Sequence, residues 1–239
     1  MNLVVDYGNT AAKVGIFEQQ ALQQRHTFTA PAQVQEFLEH TRADNIIISS
    51  VQIETSEITS WIKNGKSVFV LRPGLPLPVQ NRYATPETLG ADRVAVVCGA
   101  VQLFPGENTL IIDAGTCITY DFVDMDKNYF GGAIAPGLSM RFKAVHAFTS
   151  RLPLVQPVDD APLTGHTTET SIQSGVINGM VAEMDGIISR YRDKYKDLRV
   201  ILCGGDTRFF ENKMKASIFA SPDLVLIGLN SILIHNVNS

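Results

Sequence analysis

The feature that most constrains this 239-residue chain is an internal repeat. Residues 3 to 17 read LVVDYGNTAAKVGIF and residues 110 to 123 read LIIDAGTCITYDFV. Each copy has a β-branched apolar run, then Asp-x-Gly, then a threonine within two residues, then a second strand-like stretch. The second copy starts 107 residues after the first, almost half the chain. Self-similarity at such a spacing is the mark of duplicated structural units. It predicts two halves of like construction, 1–107 and 108–239, with the boundary in the Pro105–Asn108 turn.

The remaining pattern fits two α/β halves. Val34, Phe37 and Leu38 at helical spacing predict a helix over 33–41, and the Ile46–Ile48 run predicts a strand over 45–51. A strand is expected at 68–71, and a nearly all-apolar helix, hence a buried one, over 93–104. In the second half a strand is expected at 129–134 and a helix from Pro136-Gly137 to about Phe148. A long helical stretch in one piece or two follows over 168–194, then a strand over 198–203 and a closing apolar helix over 222–236 that can pack back on the first half. Strands mixed with helices in this order indicate α/β architecture.

Composition excludes several classes. The net charge of −4 provides no broad basic field for nucleic acid or anionic lipid. No apolar run reaches the roughly 18 residues of a membrane span. Asp6 and the lack of a basic leader argue against a signal peptide. Cys98, Cys117 and Cys203 are odd in number and far apart, which suits a reducing compartment, so a cytoplasmic protein is expected. The five histidines have no metal-ligand spacing. Gly65-Lys66-Ser67 imitates the end of a P-loop, but Ser60 stands where its first glycine is needed, and a hairpin turn is expected there.

The Asp-x-Gly turns carry the chemical signal. Glycine admits a tight turn and lets a ligand approach the backbone. Free N–H groups in such turns make a concavity for phosphate oxygens. Thr10 and Thr116 add hydroxyl donors, and Asp6 or Asp113 can hold a cation directly or through water. Lys13 can meet a phosphate as a point charge or be a solvated strand lysine. One such turn alone is an ordinary hairpin. Two copies at half-chain spacing favour a polyphosphate site. In Gly90-Ala91-Asp92-Arg93, Asp92 stands at the start of the expected buried helix, where it can cap the helix or take a proton from an attacking hydroxyl.

With these motifs in order, the chain resembles the type III pantothenate kinases nearly end to end. Asp6-Tyr7-Gly8-Asn9-Thr10-Ala11-Ala12-Lys13 resembles the family's first phosphate motif and Asp113-Ala114-Gly115-Thr116 its second. Gly90-Ala91-Asp92-Arg93 resembles its substrate motif, and Gly165-His166-Thr167-Thr168 a fourth segment. The resemblance implies duplicated actin/hexokinase-like (ribonuclease H-like) domains with mixed sheets flanked by helices. It implies ATP-dependent phosphorylation of pantothenate to 4′-phosphopantothenate, the first step of coenzyme A synthesis. Residues 6–13 and Thr116 would then bind ATP with Mg²⁺, and Asp92 would be the general base. Tyr83, Gly90, Ala91, Asp92, Arg93 and Thr168 would hold pantothenate, although Thr167 precedes Thr168 where the family often has Asn. Asp113 would bind a monovalent cation, K⁺ or NH₄⁺, in a homodimer. Gly204-Gly205-Asp206 resembles the superfamily's adenosine-side turn, and is also the composition of any strand-to-helix turn. The rivals are a sugar kinase or phosphohydrolase of the same superfamily, and a non-catalytic accessory relative. Retention of Asp6, Asp92 and Asp113 disfavours the last.

Overall fold

The computed structural model describes residues 1–238, apart from the side chains of residues 65 and 66. In chain order the elements are β1 (Asn2–Tyr7), β2 (Ala12–Glu18), β3 (Ala21–Phe28), α1 (Pro31–His40), β4 (Ala43–Ser50), α2 (Thr55–Ser60), β5 (Gly65–Val70), β6 (Gln80–Asn81) and α3 (Ala91–Leu103). Then come β7 (Thr109–Ala114), β8 (Cys117–Val123), β9 (Asn128–Pro136), α4 (Leu138–Ala147), α5 (Thr168–Lys194), β10 (Arg199–Cys203), α6 (Thr207–Phe210), β11 (Phe219–Ala220) and α7 (Leu224–Val237).

Two compact units result. The first comprises Met1–Gly106, Val123–Gly131 and Asp223–Ser239; the second comprises Glu107–Phe122 and Gly132–Pro222. The first unit's sheet runs β3-β2-β1-β4-β5, and the second unit's strands run β9-β8-β7-β10-β11, the same path through the repeat. In both, the central strand pairs in parallel with the strand that follows the crossover: β1 with β4, and β7 with β10. Two residues of β9 that belong to the first unit, Asn128 and Tyr129, pair with β6.

β1 is the centre of the first sheet, so both of its faces are covered. Leu3, Val5 and Tyr7 point to one face and pack with Val34 and Leu38 of α1 and with Ile58 and Trp61 at α2. Val4 points the opposite way, and α7 packs against β1, β2 and β4. The closing helix therefore completes the first unit. Its polar residues are satisfied there: Asn2 donates to Asn230 at 3.0 Å, Asn45 to Asn2 at 3.1 Å, and Asn230 to the Gln19 carbonyl at 2.8 Å. Buried amides left without such partners would each cost roughly 1–3 kcal/mol.

α3 and α7 cross at two glycines. A Cβ on Gly228 would overlap the Ala95 carbonyl, and one on Gly99 would press on the Leu224 carbonyl. Only backbone fits between them, which is why α3 is buried almost throughout.

The second unit buries β7, β8 and β10 residues (Leu110, Ile112, Ile118, Leu202) against Val176, Met180, Met184 and Ile188 of α5. α5 is one unbroken helix rather than two pieces. Its start is a capping box: Thr170 N–H donates to the Thr167 hydroxyl at 3.1 Å, and Thr167 N–H donates to the Thr170 hydroxyl at 2.9 Å.

Residues 65–67 do not form the expected hairpin turn. They open β5, with Gly65 beside Ala43 and Ser67 beside Asn45 in a parallel ladder, because α2 supplies the crossover that parallel pairing needs. No helix among the described residues is long and apolar enough to cross a membrane.

Overpacking the α3–α7 crossing by Gly228→Ala should destabilise the protein by about 3 kcal/mol in urea unfolding. Gly179→Ala, at an exposed position on α5 with open space around it, should stabilise by up to about 1 kcal/mol.

Candidate active site

The first phosphate-type turn joins β1 to β2. Gly8 N–H donates to the Ala11 carbonyl at 3.2 Å, leaving Asn9 and Thr10 exposed at the tip. Tyr7 and Ala12 are paired across the ladder and their side chains are buried in the α1–α2 core, so only their backbone can face a ligand. Asp6 pairs with Lys13 across the two strands. Being one residue out of phase with Val5 and Tyr7, Asp6 faces away from the α1–α2 core, at the carboxyl end of the central strand. Ligands of open α/β sheets bind beyond such strand ends.

Asp6 has an unusual environment. Burial pushes its carboxyl up from 3.8 to about 6, the Lys13 ammonium pulls against that shift, and the Asp92 carboxylate adds to it. Two acids and one ammonium thus share a half-buried site within the first unit. Such a set retains unneutralised negative charge that a divalent cation can take up.

Asp92 stands in the first turn of α3, but it does not cap the helix through its side chain. The N-cap is Gly90, which makes no side-chain cap bond. Asp92 Oδ1 instead accepts the Arg93 N–H at 2.8 Å, and a Cβ on Gly90 would crowd that same oxygen. The helix dipole favours a carboxylate there. Asp92 remains exposed, and so available to a substrate, while its orientation is fixed by the backbone.

Arg93 is buried, at 6% exposure. Its guanidinium carbon lies 5.6 Å from the centre of the Tyr83 ring. Tyr83 also stacks on Tyr129, with centroids 6.5 Å apart and planes 10° from parallel. Gly131, at φ +107°, lies under the Tyr83 ring, where a Cβ would collide with it. Tyr83 is thereby held on Arg93 within the first unit.

The second turn joins β7 to β8. Gly115 N–H donates to the Cys117 carbonyl at 2.9 Å, and Thr116 is exposed. Asp113 is half-buried beside Cys203 of β10 in the ladder. Gly204-Gly205-Asp206 follows β10 and packs on this turn: Asp206 N–H donates to the Ala114 carbonyl at 2.9 Å. Gly204 has φ +93°, and a Cβ on it would overlap both Ala114 O and Asp113 Oδ1, so only glycine serves. Burial raises the Asp206 carboxyl as well.

Thr168 is the first residue of α5, and Thr167 is its N-cap. Thr168 lines an open hollow of 630 Å³ together with Leu152, His166 and Ser171. Among the described residues no group of three acidic, histidine or cysteine side chains gathers as a metal cage.

Residues 2–190 match the family model described as type III pantothenate kinase. A type III pantothenate kinase of Christiangramia forsetii is 45% identical over 99% of both chains. The chain belongs to the type III pantothenate kinase family. Among solved structures, a Campylobacter jejuni protein described as a Baf family transcriptional activator aligns with TM-score 0.65 and 23% identity over 99% of this chain and 100% of its own. A Sinorhizobium meliloti protein described as a 2-dehydro-3-deoxygalactonokinase aligns with TM-score 0.59 and 14% identity over 97% of this chain and 98% of its own. At those identities the two show the fold, which is the duplicated actin/hexokinase-like one.

Sequence motifs located the acids of this pantothenate kinase family member, but not the coupling of Asp6 to Asp92. No local signal reveals that two carboxylates 86 positions apart share one environment. The raised Asp6 carboxyl, pushed up first by burial, has a consequence for stability. Below pH 3.8 Asp6 is protonated in folded and unfolded chains alike. Between 3.8 and about 6 the folded chain holds the proton more tightly, so stability falls as pH rises, and above about 6 the cost is complete. Asp6→Asn should therefore gain stability relative to the parent between pH 4 and pH 7, by on the order of 2 kcal/mol, in urea unfolding at the two pH values.

Proposed function

We propose that this chain transfers the terminal phosphoryl group of ATP to the primary hydroxyl of pantothenate, giving 4′-phosphopantothenate for coenzyme A synthesis. The observation that carries the residue assignment is Asp92: an exposed carboxylate, fixed by the Arg93 N–H at the start of a buried helix and electrostatically coupled to Asp6. In this reading Asp92 orients the hydroxyl and takes its proton as attack on phosphorus begins. Arg93 and Tyr83 hold the acceptor, with Arg93 suited to its carboxylate. Gly90 and Ala91 keep the backbone clear beside it. Thr168 contributes a hydroxyl from the hollow at the start of α5.

The residues present fit a magnesium nucleotide. Asp6 carries a carboxyl that burial makes reluctant to ionise, which is the state a divalent cation relieves. When bound, the metal neutralises charge on the transferring phosphate. The exposed tips at Asn9-Thr10 and Thr116 present backbone N–H and hydroxyl donors to phosphate oxygens. Lys13 adds a point charge beside Asp6.

Asp113 is assigned to a monovalent cation, K⁺ or NH₄⁺. With no acidic cluster around it among the described residues, such an ion would draw its other ligands from carbonyl and substrate oxygens. A homodimer completes the proposal and rests on the family alone.

A coupled assay should show ADP release that depends on pantothenate and is absent with glucose or other hydroxylated acceptors. Asp92→Asn should lower kcat about 10²–10⁴-fold while the protein stays folded by circular dichroism. ADP release without pantothenate, or near-normal turnover by folded Asp92→Asn, would overturn the assignment.

A further inference from the structure

A polar chain inside the second unit ends at the Thr116 turn and takes no part in the chemistry described above. Glu183 of α5 uses both of its carboxylate oxygens. Tyr120 of β8 donates its hydroxyl to Oε1 at 2.8 Å, and the Arg141 guanidinium of α4 donates to Oε2 at 2.7 Å. The Arg141–Glu183 pair is largely shielded, at 21% and 30% side-chain exposure, so solvent weakens it less than a surface pair. Tyr120 is 1% exposed, and burial with its bond to Glu183 pushes the phenol pKa up, so it stays a neutral donor.

Arg141 also reaches in a second direction. Its Nε donates to the Pro136 carbonyl at 2.8 Å. Pro136 ends β9, and the next residue, Gly137, donates its N–H to the Thr116 carbonyl at 3.2 Å. Gly137 is packed so closely on this turn that a Cβ there would overlap the carbonyl oxygens of Gly115 and Thr116. A continuous series of bonds thus runs from α5 through Arg141 and the Pro136–Gly137 peptide to the backbone of the turn.

We propose that Arg141, held by Glu183, is a positioning residue for the Gly115-Thr116 turn and sets its affinity for the nucleotide phosphates. The proposal rests on the reading of Thr116 as a phosphate contact. Arg141 touches no substrate; it fixes the carbonyl of Pro136 and with it the direction of the Gly137 N–H. Preorganised donors bind phosphate without the cost of ordering the turn at the moment of binding. Lysine at 141 keeps a cation for Glu183 but lacks the planar fork that bonds Glu183 and Pro136 together. Arg141→Lys therefore separates the brace from the ion pair.

Three measurements on the full chain decide the matter. In the ligand-free protein, amide hydrogen exchange over 115–117 and at Gly137 should quicken about tenfold in Arg141→Lys. Calorimetric titration with magnesium ADP should weaken by about tenfold, and the KM for ATP should rise equally, with the KM for pantothenate within twofold. Asp185→Ala is the stability control. Asp185 lies on the same helix and accepts the Lys215 and Ala216 N–H groups at 3.2 and 3.3 Å, away from the turn, so its loss should lower the melting temperature without moving nucleotide affinity. If Arg141→Lys fails to fold, Glu183→Gln, which keeps an oxygen for Arg141, should show the same exchange effect in weaker form.

Unchanged exchange over 115–117 overturns the brace. Faster exchange with unchanged nucleotide affinity overturns its link to binding. Thr116→Ala isolates the underlying reading: if it binds nucleotide normally while Arg141→Lys still loosens the turn, the phosphate assignment is wrong and the brace is only structural.

Discussion

A carboxylate withdrawn from water at the end of a central strand is the constraint on which the first unit's chemistry depends. Asp6 is there because β1 pairs on both sides and is covered on both faces, so its last residues have few directions left. Val5 and Tyr7 are committed to the α1–α2 core, which directs Asp6 to the opposite face. Burial then raises its affinity for a proton, and Asp92 raises it further. Lys13 offsets only part of this. A carboxylate in such surroundings gains from a cation that neutralises it, which is why the proposed magnesium site is put at Asp6, near the acid proposed to handle the acceptor hydroxyl.

Duplication supplied two versions of one turn, and they have diverged in what supports them. In the first unit the turn is closed by a Gly8–Ala11 bond, and its acid is tuned first by burial, then by an ammonium and a neighbouring acid. In the second the turn is narrower, closed between Gly115 and Cys117, and is packed on by backbone from two sides, Gly137 and Gly204. Glycines at 137 and 204 are therefore steric requirements. The first turn is specialised electrostatically and the second mechanically.

Local patterns in the sequence made much of this legible. The repeat, the apolar strand runs, the buried α3 and the apolar α7 are all consequences of periodicity and composition, and the structure places them within a few residues of expectation. β3 leaves no periodic signal in the sequence, because ALQQRHTF is mostly polar and lies at a sheet edge where burial leaves little trace. Gly65-Lys66-Ser67 opens a parallel strand rather than the expected hairpin turn, and a glycine before an apolar run has the same composition in either setting. The acids of the site were found from motifs. Their environments were not, since burial of Asp6 and the Arg141–Glu183–Tyr120 series join residues far apart in the chain. Gly228 likewise looks like an ordinary helix glycine until α3 is brought against it.

The central claim, that Asp6 is a desolvated acid coupled to Asp92 and poised for a metal-bound nucleotide, is tested most directly by following the Asp6 carboxyl carbon by ¹³C NMR as pH is varied. In the ligand-free protein its midpoint should lie near 6, should move down in Asp92→Asn, and should move down again when magnesium ADP is added. A midpoint at the ordinary 3.8, indifferent to both the substitution and the nucleotide, would contradict the account.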